Sequence, residues 1–146
     1  MIRNSIEVSI PTNIPVRDDG IVEVPINATD LSFCGGFTIH IAYDRNLLQI
    51  PELVFNPAEV QVGDFLKQFP DWNIMSCAYG GTLNLSFSCL RPISGAGTIA
   101  MIRFKVPTPL TGPTNLTITG LARDSALEAN SGDQVGFTFK SGSVVK

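Results

Sequence analysis

The stretch "WNIMSCAYGGTLNLSFSC", Trp72–Cys89, constrains the fold more than any other part of the chain. It holds two alternating runs joined by Gly80-Gly81. Strict alternation is the period of a half-buried strand. A Gly-Gly loop suits a type I′ or II′ turn, because glycine reaches positive φ without steric cost. Pairing outward from that turn sets Tyr79 opposite Thr82, Cys77 opposite Asn84, Met75 opposite Ser86 and Asn73 opposite Ser88. The other parity pairs Trp72 with Cys89, Ile74 with Phe87, Ser76 with Leu85 and Ala78 with Leu83. The second set carries more large apolar groups, so it is assigned to the core and the first to an outer face. A register slip of one residue would exchange the two faces.

The rest of the chain repeats this grammar. The runs "IEVSIP", "IVEVPINA", "GFTIHIAY", "GTIAMIRFKV", "NLTITGLA" and "VGFTFKSGSVV" are separated by turns rich in Gly, Pro, Asn and Asp. "PELVFNPAEVQVGDFLKQFP" is less regular and reads as a short strand plus a turn or one helical turn. The sum is about nine strands and no long helix, the pattern of an all-β sandwich or barrel. The 146 residues suit a single domain over the whole chain, 1–146, with a core that needs neither a metal nor a disulfide. Charged residues make up only 16% of the chain and the mean hydropathy is +0.22, yet no apolar run is long enough for a membrane-spanning helix. "MIRNSIEVSI" carries no secretory h-region, which fits a cytosolic protein or a module excised from a larger one. The net charge of −3 and the lack of a Lys/Arg cluster argue against a nucleic-acid groove.

Candidate chemistry is sparse. His40 is the only histidine. In "GGFTIHIAYDRNLLQI", Phe37, Ile39, Ile41 and Tyr43 share the core parity, while Gly36, Thr38, His40 and Ala42 face outward. Cys34 and His40 along one strand lie about 20 Å apart, far beyond hydrogen-bond reach. Cys34, Cys77 and Cys89 show no C-x-x-C spacing, so metal and redox motifs are unsupported and the thiols read as small hydrophobes. Asp18-Asp19 before Gly20 and Asp44 before "RNLL" read as turn formers. "RDSALEANSGD" holds Asp124, Glu128, Asn130 and Asp133 but lacks the calcium-loop pattern of EF-hands, and reads as a connecting loop. N-x-[ST] triplets occur at Asn27, Asn84 and Asn115, and a glycan on Asn84 would occlude the outer face. No nucleophile–base pair or metal set can be assembled, so the expectation is a protein that is not an enzyme. An outer sheet face with few charges suits either solvent or a partner.

Taken in order, these segments resemble the cohesin modules of cellulosome-type scaffoldin proteins. "GGFTIHIAYDRNLLQI" is similar to the family's third strand, which ends in Tyr-Asp, a short turn and Leu-Leu. "GTIAMIRFKV" is similar to its seventh strand, "IEVSIPTNIPVRDDGIVEVPINATDLS" to its first two, and "SGSVVK" to its closing strand. The resemblance spans nearly the whole chain. It implies a nine-stranded β-sandwich with jelly-roll topology. It implies a non-catalytic module that binds a dockerin and so assembles extracellular, cell-surface complexes, without a cofactor of its own. Calcium is expected on the dockerin.

In the family the dockerin lies across strands 8, 3, 6 and 5, in the family's own strand numbers. Carried onto this chain, those strands imply partner-binding positions at Gly36, Thr38, His40 and Ala42, and at Met75, Cys77 and Tyr79. They continue at Asn84, Ser86, Ser88, Leu90 and Arg91, and at Leu121 and Arg123 near Gly120–Arg123. Tyr79 and His40 are the expected anchors. Two departures stand out. Type I members carry Asn and Asp where this chain has Gly36 and Thr38, and "VGDFLKQFPDW" differs from the usual run between strands 4 and 5. Both imply a divergent partner specificity, and the resemblance leaves a role in cellulose degradation open. The alternative reading is a carbohydrate-binding or structural sandwich of a surface protein; a sugar platform wants a row of exposed aromatics, and only Tyr79 is assigned outward.

Overall fold

A computed structural model describes residues 2–29, 35–69, 72–89, 95–124 and 134–146. The chain forms β1 (Ile2–Ser9), β2 (Ile14–Pro15), β3 (Ile21–Ala28), β4 (Gly35–Ala42), β5 (Val60–Val62), β6 (Trp72–Tyr79), β7 (Thr82–Cys89), β8 (Gly97–Lys105), β9 (Thr114–Asp124), β10 (Gln134–Lys140) and β11 (Gly142–Val145). One short 3-10 turn, Leu66–Gln68, follows β5, as the irregular middle segment predicts. The strands build two sheets, ordered β10-β1-β3-β8-β5 and β2-β11-β9-β4-β7-β6.

Among the described residues eleven strand segments stand where the sequence pattern counts about nine. One addition is the two-residue β2. The other arises because "VGFTFKSGSVV" divides at Ser141 into β10 and β11, which join different sheets. The switch is tight: a Cβ on Gly142 would sit 2.2 Å from the Pro11 carbonyl oxygen, so only glycine lets the two backbones approach.

The core lies between the sheets. Val8, Val22, Val24, Ile26, Ile102 and Phe104 supply one wall; Ile39, Ile41, Leu83, Leu85, Phe87 and Ile118 supply the other. Phe37 stacks on Phe87 with centroids 4.5 Å apart and meets Trp72 edge-on at 6.1 Å. Tyr43 packs against Phe104 at 5.1 Å. Such ring pairs add to plain area burial. Gly120 faces inward opposite Ile39, and a Cβ there would lie 2.5 Å from the Thr38 carbonyl oxygen and 2.8 Å from the Phe139 ring. Phe139 therefore takes the space that a side chain at 120 would need.

The turns follow their sequence chemistry. Gly80 and Gly81 have φ of 61° and 84°, both left-handed, which is the type I′ requirement. Gly20 at φ 78° closes the Asp18-Asp19 turn, where the Ile21 N–H donates to Asp19 Oδ1 at 3.1 Å. Asp44 accepts from the Asn46 N–H at its side chain and from the Leu47 and Leu48 N–H groups at its carbonyl.

Candidate functional site

The expected hairpin register holds at every pair. Tyr79 stands opposite Thr82, Cys77 opposite Asn84, Met75 opposite Ser86 and Asn73 opposite Ser88. β4 lies on the other side of β7, setting Gly36 opposite Ser88, Thr38 opposite Ser86, His40 opposite Asn84 and Ala42 opposite Thr82. β9 completes the set, with Arg123 opposite Gly36, Leu121 opposite Thr38, Thr119 opposite His40 and Thr117 opposite Ala42. Four antiparallel strands thus bring most of the sequence-predicted positions into four rows. Thr117–Ala42–Thr82–Tyr79 is one row, Thr119–His40–Asn84–Cys77 the next, then Leu121–Thr38–Ser86–Met75 and Arg123–Gly36–Ser88–Asn73.

The assigned side chains face out. Met75, Tyr79, Ala42, Ser86 and Ser88 are exposed; Thr38, His40, Asn84 and Cys77 are half-buried among their neighbours. Their inward partners Trp72, Ala78, Leu83, Leu85, Phe87, Phe37, Ile39, Ile41 and Tyr43 are buried. Leu90 and Arg91 lie outside the described residues, as does most of the "RDSALEANSGD" loop. Leu121 and Arg123 are placed by the backbone register of β9.

Apart from Arg123, the four rows contain no Asp, Glu, Lys or Arg. The outer face of the other sheet is different. It carries Glu7, Glu23, Arg103, Lys105 and Lys140, with Lys140 paired to Glu7 at 3.3 Å and Arg103 to Glu23 at 4.0 Å. Arg17 adds bonds to Glu23 and Asp19. Among the described residues charge is thus concentrated on one outer face of the sandwich and sparse on the other.

His40 is held within the sheet. Its Nδ1 is hydrogen-bonded to Asn84 Oδ1, and Asn84 stands between it and Cys77. Two strand spacings separate His40 from Cys77, about 10 Å. The Cys77 thiol is free and directed to the Ala78 carbonyl oxygen at 3.9 Å. Among the described residues no three His, Cys, Asp or Glu side chains gather as a metal site.

One flank of the face is reinforced by a segment that the strand pattern does not register. Glu52 accepts from the Gly80 and Gly81 N–H groups at 3.3 and 3.4 Å and from the Tyr43 hydroxyl at 3.3 Å, and pairs with Arg45 at 3.5 Å. Desolvation raises the Glu52 pKa, but the two backbone donors, Arg45 and Tyr43 outweigh it, and the carboxyl lies below its usual value. Burial, then the Glu52 charge, push the Tyr43 phenol up to about 12. The hairpin tip is therefore tied to the chain 28 residues upstream. Thr117 and Thr119 join the face on β9, where the sequence reading names only Leu121 and Arg123; the inward Leu116 and Ile118 of "NLTITGLA" are the signal that finds them.

These features define the class: a two-sheet β-sandwich with one nearly charge-free outer face. Its fold is that of the cohesin modules. A non-cellulosomal cohesin from the hyperthermophilic archaeon Archaeoglobus fulgidus superposes with a TM-score of 0.71 at 17% identity, covering 97% of this chain and 91% of that one. A type II cohesin domain from the cellulosome of Acetivibrio cellulolyticus gives 0.63 at 15% identity, over 97% and 95% of the two chains. A type II cohesin–X–dockerin complex from the same organism, an N-terminal interface mutant, gives 0.61 at 15% identity, over 95% and 98%. No protein-family model and no curated protein sequence matches the chain. When the two-residue β2 is passed over, β9-β4-β7-β6 is the sheet order 8-3-6-5 that the resemblance implies.

Proposed function

We propose that this chain is a non-catalytic recognition module that binds a dockerin across β9-β4-β7-β6 and so assembles extracellular multiprotein complexes. The observation that carries the reading is the sorting of charge between the two outer faces. A face kept nearly free of charge loses little on desolvation, which suits it to contact with another protein. Met75, Tyr79 and Ala42 supply apolar area; Thr38, His40, Asn84, Ser86 and Ser88 supply hydrogen bonds that set orientation. A contact of standard size buries about 1,600 Å² in total and is dominated by a few anchors. The Acetivibrio complex adds support, because a module of the same fold is there bound to a dockerin partner. Calcium belongs to the partner in this reading. Tyr79 is the one aromatic in the four rows, a thin platform for stacking sugars, which favours a protein partner over a polysaccharide.

Affinity capture from the source organism's secretome, with and without EDTA, tests the proposal. The expected result is calcium-dependent recovery of a dockerin-bearing protein, weakened by Tyr79→Ala and by His40→Ala. Recovery insensitive to EDTA, or no recovery of a dockerin, overturns it. Unchanged affinity in both variants moves the contact to another face.

A further inference from the structure

The large hydrophobic side chains that are well exposed among the described residues fall at one place. Met75 and Tyr79, 57% and 66% exposed, stand on the outer face of β6. Leu53, Val54 and Phe55, at 73%, 46% and 74%, lie on the segment that runs beside the β6 edge.

That segment is pinned in place. The Leu53 N–H donates to the Ala78 carbonyl at 2.8 Å, and the Asn56 N–H donates to the Ser76 carbonyl at 2.8 Å. The Ser76 N–H in turn donates to Asn56 Oδ1 at 2.9 Å. Glu52 fixes its start to the hairpin tip. Leu53 and Asn56 hold φ of 60° and 51°. Asparagine tolerates that region, but a leucine there is uncommon and costs free energy. The fold thus holds a strained backbone in order to present three consecutive apolar side chains to solvent.

We infer that the partner-binding surface continues past the edge of β6 onto Leu53–Phe55, and that its occupant is the apolar stripe of a helix belonging to the dockerin. The inference rests on the function proposed above. The bonds to Leu53 and Asn56 already occupy the outward backbone groups of Ser76 and the Ala78 carbonyl, so no incoming strand can extend the sheet there. The occupant must bind through side chains laid across the patch. Met75 and Tyr79 lie about 13 Å apart along β6, the rise of between two and three helical turns. A helix of 10–12 Å diameter laid over the boundary between β6 and this segment would reach Met75 and Tyr79 on one flank and Leu53–Phe55 on the other. Leu53–Phe55 and the outer positions of β6 carry no charge, so the matching stripe is uncharged, with apolar residues at i, i+4 and i+7.

Titration calorimetry tests this with recombinant calcium-loaded dockerins encoded in the same genome. The chains compared are wild type, Leu53→Asn, Phe55→Ser, Tyr79→Ala and, as a control on the opposite sheet, Lys105→Ala. Asparagine keeps the left-handed backbone at 53, and both loop side chains are exposed, so the expected melting temperatures equal that of wild type. The expected loss of affinity is about tenfold or more for each loop variant, with none for Lys105→Ala. A dockerin that binds wild type, loses affinity on Tyr79→Ala and ignores both loop variants overturns this inference and leaves the proposed function standing. A wild type that binds none of the dockerins overturns both. Concentration-dependent dimerisation of wild type that disappears in Phe55→Ser replaces the helix with a second copy of this chain as occupant.

Discussion

His40 and Asn84 face each other across β4 and β7, with the imidazole Nδ1 hydrogen-bonded to the amide oxygen. Both sit near the centre of the outer face, in the row completed by Thr119 and Cys77. The amide oxygen only accepts, so this pairing uses the tautomer with the proton on Nδ1. Nε2 is then the ring atom left to a partner. The only histidine is thus a positioned polar group on the outer face of the sheet.

This pair is expected to act as a unit in partner binding. His40→Ala and Asn84→Ala should each weaken dockerin affinity, and the double variant should lose less than the sum of the two, with a coupling of about 0.5–3 kcal/mol. A double-mutant cycle on the dissociation constant measures it; strict additivity would show that the bond does not organise the face.

Phe87 belongs to the aromatic cluster beneath the face, stacked on Phe37 and fully buried. Phe87→Ala is expected to cost about 3–5 kcal/mol of folding stability through lost burial and an unfilled cavity. Denaturant unfolding reads this as a lower midpoint at unchanged slope.

Gly120 has no room for a methyl group between the Thr38 carbonyl and the Phe139 ring. Gly120→Ala should destabilise by about 1–3 kcal/mol, because β9 must shift or Phe139 must leave its place. A melting temperature equal to that of wild type would contradict the packing described.

Tyr43 makes high pH destabilising. Its phenol is raised to about 12 in the folded chain against 10 for the unfolded one. Its contribution is complete below about pH 10 and is lost as pH rises through about 12, since the unfolded state releases the proton first. Tyr43→Phe should flatten the stability curve between those limits. In Tyr79→Phe, which leaves Tyr43 as the sole tyrosine, ultraviolet phenolate absorbance should titrate near 12. Glu52 acts at the other end. With its carboxyl held below the usual value, its contribution is present above the ordinary carboxylate range and is lost as pH falls through the folded value. Glu52→Gln should remove that acid-side slope.

Much of the candidate face could be read from period alone. The hairpin from Trp72 to Cys89 has a turn that permits one register, and its two parities differ sharply in apolar volume. His40 and Thr38 follow because Phe37, Ile39 and Ile41 can only face the core. "NLTITGLA" was legible by the same logic, and Thr117 and Thr119 take their outward places for that reason. The division of the final run at Ser141 was not legible, because the sheet that each half joins depends on how closely Pro11 and Gly142 approach.

The sequence by itself determined which side of each strand is buried, since alternation and turn chemistry are local properties of a few adjacent residues. It also determined that short strands would close on one core, and that His40, Met75 and Tyr79 would point away from it. Only the tertiary structure decided that Leu53, Val54 and Phe55 lie beside those strands. Their placement comes from left-handed backbone at Leu53 and Asn56 and from bonds to Ser76 and Ala78, far along the chain. The sorting of charge onto one outer face belongs with them, because strand order, which no local pattern encodes, decides which outward residues become neighbours.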